Sequence, residues 1–190
     1  MQYFDVVISF SAVIALCVFF TKKCGINSAL TPLLSVSVVI LWFSAAGVAD
    51  ILVPAGYAFY ITAFSLLIYS LIPCGKKSAS QGKKRASLLT PGFLMFIILG
   101  SFFIIYFAVR KPIFSEWDEL SLWGTACKLM KLNNSLYTTA EVAWDWIPSQ
   151  LPGLISFGYY MQFFGAVFAP WKVFIGYDIL FFAKSQVFFT

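Results

Sequence analysis

The stretch Pro91-Gly-Phe-Leu-Met-Phe-Ile-Ile-Leu-Gly-Ser-Phe-Phe-Ile-Ile-Tyr-Phe-Ala-Val109 carries no charged side chain. A helix needs roughly 20 mostly apolar residues to cross the hydrocarbon layer of a bilayer, and this run supplies them. Its opening Pro91 suits a first helical turn, where the missing N–H is not needed. Working outward, further apolar runs occupy 3–20, 30–53, 57–72, 151–169 and 173–190. Thr31-Pro32 opens the second run, and Pro54-Ala-Gly56 predicts a tight turn before the third. The last run is the weakest, because it holds Asp178 and Lys184. These two are six apart and fall on different helix faces, so they do not predict a direct pair. The expected fold is an all-α polytopic membrane protein of about six transmembrane helices. One long extracytoplasmic loop, 110–150, separates the first four from the last two.

Composition agrees with that reading. Hydrophobic residues make up 61% of the 190, charged residues 11%, and mean hydropathy is +0.86. Soluble domains hold about 45–50% apolar and about 25% charged residues, so lipid is the expected solvent here. The net charge of +5 lies between apolar runs and not across a polar face, which argues for topology signals and against nucleic-acid binding. Lys76, Lys77, Lys83, Lys84 and Arg85 crowd the loop 74–90, which is therefore expected on the cytoplasmic side with Lys22 and Lys23. The N-terminus and the loop 110–150 then face outward, across a bacterial inner membrane. Trp171 and Lys172 mark an interface, and Lys172 is expected back on the cytoplasmic side. The run 3–20 is read as a retained helix: Asp5 stands where a signal peptide would carry a basic residue. The chain closes inside an apolar segment, Val187-Phe-Phe-Thr190, as an N-terminal piece of a longer protein would.

Histidine is absent, which removes the commonest general base and metal ligand. The four cysteines show no CxxC spacing, so neither a disulfide framework nor a zinc site is expected. The chemistry-bearing residues gather in 110–150, which holds Glu116, Asp118, Glu119, Glu141 and Asp145, five of the eight acidic residues. Within Phe114-Ser-Glu-Trp-Asp-Glu-Leu-Ser-Leu-Trp123, three carboxylates fall in four residues. They can hold Mg²⁺ or Mn²⁺ (Asp118 and Glu119 being the candidate ligands), or one can serve as a base. The same residues also fit a capped helix start, where each acidic side chain gains roughly 0.3–1 kcal/mol from the helix dipole. After them Leu120, Leu122, Trp123, Ala126, Cys127, Leu129 and Met130 fall on one half of a helix. Ser121, Thr125, Lys128 and Lys131 fall on the other, which predicts an amphipathic helix lying in the interface. Trp117, Trp123, Trp144 and Trp146 suit either an interfacial aromatic belt or stacking on sugar rings. Arg110 and Lys111 suit either a phosphate contact or a snorkelling pair at a helix end.

Glu116–Trp123, together with Trp146-Ile-Pro-Ser-Gln-Leu-Pro-Gly153, resembles the bacterial C-type membrane glycosyltransferases, relatives of protein mannosyltransferases and aminoarabinose transferases. Pro152 and Gly153 match that family's Tyr-Pro-Pro-Gly, while its tyrosine and its nearby histidine have no counterpart here. The resemblance implies a polyprenyl-phosphate sugar as donor and an extracytoplasmic glycan, lipid or protein as acceptor. It implies Asp118 as catalytic base or metal contact, with Glu119 beside it. Glu116, Trp117, Trp123, Arg110, Lys111, Pro152 and Gly153 are then the substrate-binding candidates. Two other classes fit the composition: a transporter or flippase for a lipid-linked solute, and a non-catalytic assembly protein. A transporter predicts polar groups inside the spans, and the runs up to residue 172 carry few charges.

Overall fold

The computed structural model describes residues 3–72, 87–115, 123–139 and 152–186. Seven α-helices and no strand occur among the described residues. They are α1 (Phe4–Lys22), α2 (Thr31–Val48), α3 (Leu52–Leu71), α4 (Pro91–Arg110), α5 (Trp123–Asn133), α6 (Pro152–Met161) and α7 (Pro170–Ser185). The first four are long and apolar enough to cross a membrane, which marks the chain as membrane-embedded. Local chemistry sets their ends. The Thr90 hydroxyl accepts from the Phe93 N–H at 3.4 Å, and Pro91 follows in the first turn, so α4 starts where the sequence placed it. It stops at Lys111, whose φ of 45° is left-handed and whose N–H reaches the Phe107 carbonyl at 2.8 Å.

The α2–α3 junction differs from expectation. Pro54 and Gly56 lie inside α3, and the chain reverses over 49–51 with Asp50 at φ 54°. Proline is tolerated in a first helical turn because its missing N–H would be unpaired there anyway. Gly56 is needed for packing: a side chain on it would run into the ring of Phe163.

Side-chain contacts order the bundle from end to end. Ser9 meets Tyr60 and Lys23 reaches the Ile72 carbonyl, so α1 and α3 run parallel. Cys17 meets Ser35, so α2 packs against α1 as the chain returns. Phe103 stacks on Phe182 and Phe107 on Phe174, so α4 and α7 are antiparallel. One end of the bundle therefore gathers Tyr3, Asp5, Val48, Ile51, Lys111 and Lys172. The other gathers Lys23, Ser28, Thr90 and Gln186.

Two expectations about the last third are corrected by this arrangement. The run 151–169 does not cross: its described helix, α6, has ten residues and is about 15 Å long, half the hydrocarbon thickness. Lys172 does not return to the opposite end, because it pairs with Asp5 in the first turn of α1. The chain thus re-enters the bundle and turns back. It then descends as α7, whose 16 residues lie along α4.

A helix that stops inside a water-poor layer leaves carbonyls that must find donors. In α6 they do. The Tyr160 carbonyl accepts from the Ser9 hydroxyl at 3.0 Å and from the Tyr60 hydroxyl at 3.1 Å. In the turn just after α6, the Phe163 carbonyl accepts from the Lys131 ammonium at 2.9 Å. Around this end Phe43, Phe59, Tyr60, Tyr159, Tyr160 and Phe163 form an aromatic core, with Tyr60 and Tyr160 stacked at 5.4 Å.

Candidate functional site

The buried charged side chains of the described residues, Asp5, Lys131 and Lys172, gather at the Asp5 end. Asp5 and Lys172 form a buried ion pair, the single ion pair among the described residues. The second Asp5 oxygen accepts from the Val6 N–H at 3.0 Å. Gly165 packs against the pair so closely that a Cβ there would lie 2.6 Å from Asp5 Oδ2 and 3.0 Å from Lys172 Nζ. Lys131 adds a second buried ammonium, over the Tyr159 ring at 5.7 Å. Two cations and one anion out of water would leave a costly excess charge. The Phe163 carbonyl, in the turn that follows α6, takes up part of it.

Burial pulls the Lys131 amine below the ordinary lysine range; Asp5 opposes this and Lys172 adds to it. Burial also pushes the Cys127 thiol up to about 12, against the pull of Gln162 and Lys131. Gln162 knits the cluster together. Its amide donates to Cys127 Sγ at 3.6 Å, and its oxygen accepts from the Ala169 N–H at 3.1 Å.

The residues singled out in the sequence divide into two groups. Glu116, Trp117, Asp118 and Glu119 lie outside the described residues, as do Trp144 and Trp146. Among the described residues no three His, Cys, Asp or Glu side chains come together as metal ligands. Arg110 is exposed at the end of α4, 6.0 Å from the Tyr106 ring. Lys111 lies over the Tyr3 ring at 5.6 Å, and Tyr3 in turn packs on Trp171 at 5.6 Å. Lys111 is thereby linked through two aromatic rings to the segment that carries Lys172. Trp123 opens α5 within an aromatic group of Phe114, Phe174 and Tyr177, its ring stacked on Tyr177. Pro152 opens α6, and Gly153 abuts Ile40 of α2. Asp178 and Lys184 do not pair.

A shallow hollow of about 310 Å³ lies beside Trp123, lined by Phe114, Gly124, Thr125, Lys128, Phe168 and Pro170. It opens where the chain enters α5 and where it enters α7. The amphipathic character of α5 holds, with Ala126, Cys127 and Met130 buried. Lys131 is a correction to it: placed on the polar half by projection, it is buried against α6.

These features define a helical membrane protein with a polar, cation-rich centre at one end of its bundle. No protein family model, curated protein or solved structure matches the chain.

Proposed function

We propose that this protein is a membrane glycosyltransferase that moves a sugar from a polyprenyl-phosphate donor to an acceptor at the outer face of a bacterial inner membrane. The observation that supports this most is the convergence at one bundle end. Arg110 and Lys111 close α4 there and Trp123 opens α5 there, and in the sequence Glu116, Asp118 and Glu119 fall between these two described points. A donor whose lipid lies in the bilayer and whose phosphate lies at its surface would meet the cations of Arg110 and Lys111 at that end.

In the proposed reaction Asp118 accepts the proton of an acceptor hydroxyl, with Glu119 and Glu116 shaping the local field. The hydroxyl oxygen attacks the anomeric carbon, and a glycosidic bond forms with inversion. The bond from that carbon to the lipid phosphate breaks, and the phosphate leaves with the electron pair. Arg110 and Lys111 ease its charge. Trp117 offers a flat face to the sugar, while Trp123 anchors the start of α5. Pro152 and Gly153 begin α6, with Gly153 against Ile40 in the middle of α2 and away from this end of the bundle. The carboxylates of Asp118 and Glu119 have the chemistry to hold Mg²⁺ or Mn²⁺, and no step here requires the ion.

The test is transfer from a radiolabelled polyprenyl-phosphate sugar, in membranes carrying the full protein. Asp118→Asn is expected to abolish transfer while leaving membrane insertion intact. Wild-type rates in that variant would overturn Asp118 as the base. Absence of donor binding by the wild type would overturn the transferase reading itself.

A further inference from the structure

We infer that Lys131 is a pH-sensitive clasp: uncharged, its amine holds α5 on the turn after α6, and a proton taken up from water at this end of the bundle loosens that hold. The charge balance of the buried centre carries this. Three charged side chains are buried there, Asp5 from α1, Lys172 from α7 and Lys131 from α5. The anion is already committed: Asp5 Oδ2 bonds Lys172, and Oδ1 accepts from the Val6 N–H at 3.0 Å. Among the described residues Lys131 is left with the Phe163 carbonyl at 2.9 Å and the face of Tyr159 at 5.7 Å. The Gln162 oxygen is taken by the Ala169 N–H, and the Gln162 amide donates to Cys127 Sγ. One carbonyl and one ring do not balance a full positive charge held out of water.

The titratable groups around Lys131 are Asp5 on α1, Tyr159 on α6, Lys172 on α7 and, one turn earlier on α5, Cys127. The short 3-10 helix Tyr137–Thr139 adds Tyr137, and Lys128 of α5 is exposed. The thiol and the two phenols are uncharged near neutral pH. With Lys131 charged, the buried cations outnumber the buried anion two to one; with it neutral they match. Losing the proton costs little in geometry, because a neutral amine still offers an N–H to the Phe163 carbonyl. Burial draws the amine below the ordinary lysine range, with Asp5 opposing and Lys172 adding to it. Lys131 keeps 9% of its surface, against 4% for Lys172 and 2% for Asp5, so it is the member that exchanges protons with water. When α5 opens, Lys131 regains the ordinary lysine pKa of about 10.4. The open form then binds the proton more tightly than the packed form. Packing of α5 therefore strengthens as pH rises from the lowered value towards the ordinary one, and weakens as pH falls. The clasp stands independently of the transferase reading.

The experiment uses the full protein in lipid nanodiscs. Lys131 is titrated by NMR in protein carrying isotope-labelled lysine, its signal assigned by its loss in Lys131→Gln. Amide-exchange protection over Gly124–Asn133, corrected for the intrinsic effect of pH, is followed alongside. The expected midpoint lies below the ordinary lysine value of about 10.4. Between that midpoint and the ordinary value, protection of α5 should rise by up to about tenfold per pH unit. Lys131→Gln keeps a neutral donor and should show no such rise. Lys131→Arg carries a charge that does not titrate, so it should lower protection at high pH and show no rise either. If Lys131→Gln does not assemble, Lys131→Met serves both for assignment and as the flat control. A wild-type midpoint at or above the ordinary value would overturn the inference. So would a lowered midpoint that α5 protection does not follow, a rise that persists in Lys131→Gln or Lys131→Met, or wild-type protection at high pH in Lys131→Arg.

Discussion

Asp5 and Lys172 stand 167 positions apart and share one bond out of reach of water. Removing one partner of such a pair strands a buried charge, at a cost of roughly 3–5 kcal/mol, whereas replacing both by apolar groups is often neutral. Lys172→Met alone should therefore lower the stability of the detergent-solubilised protein by about that amount. The double variant Asp5→Leu/Lys172→Met should recover most of it. An SDS-unfolding titration of the three proteins checks this, and equal losses in single and double variants would argue against the pair. Cysteine chemistry probes the same region. The thiolate is the reactive form, and a thiol pushed up to about 12 is ionised to roughly one part in ten thousand near pH 8. In a Cys74→Ser background Cys24, which is exposed, should label with maleimide at that pH while Cys127 stays unlabelled. None of these roles was legible one residue at a time. Asp5 could be read only as an acid where a signal peptide wants a base, Lys172 only as an interface marker, and Lys131 only as a member of a polar face. Projection gives an angle on a helix but not what covers it, and the Phe163 carbonyl that covers Lys131 comes from the turn after a different helix.

The elements were legible to the extent that composition alone decides them. Spans over 3–20 and 91–109 agree with α1 and α4 to within a few residues, and 57–72 falls on α3, which begins earlier at Leu52, because a long apolar run with at most one charge has one stable solution in lipid. The run 151–169 looked equivalent and is not. What separates it is the hydroxyls of Ser9 and Tyr60, which meet the Tyr160 carbonyl near the end of α6, and the ammonium of Lys131, which meets the Phe163 carbonyl in the turn after it. Those donors lie on other helices, so the sequence of 151–169 does not contain the signal. Packing at this stop is tight. A Cβ on Gly158 would lie 2.8 Å from Cys127 Sγ and 3.1 Å from Val173. Gly158→Val should thus force α5, α6 and α7 apart and cost about 1–3 kcal/mol. The readable consequence is that Cys127 becomes open to maleimide, and a Cys127 still inert in that variant would show that the three helices absorb the change.

At the scale of the molecule the question is which segments share a side of the membrane. The sequence supplies an orientation through its basic residues, with Lys22, Lys23 and the loop 74–90 on the cytoplasmic side. It does not supply the parity of crossings after residue 110, because a re-entrant helix and a full span have similar hydropathy. Contacts at the bundle ends do supply it. Lys111 lies over Tyr3, Tyr3 packs on Trp171, and Lys172 pairs with Asp5, so the chain leaves and rejoins the bundle at one end. Ile113 and Val167 are well exposed at that end, and Cys24 and Leu89 are exposed at the other. Single-cysteine variants carrying Ile113→Cys or Val167→Cys should accordingly react from the same face of intact, right-side-out vesicles with a membrane-impermeant maleimide. Cys24 and Leu89→Cys should react only after the vesicles are opened. Labelling of Val167→Cys together with Cys24 would restore a full crossing over 151–169 and dissolve the Asp5–Lys172 pair. The opposite pattern, with Ile113→Cys and Val167→Cys reactive only in opened vesicles, would keep the fold and invert it in the membrane. That outcome would carry the acidic segment to the cytoplasmic face, where an outward-facing donor could not reach it.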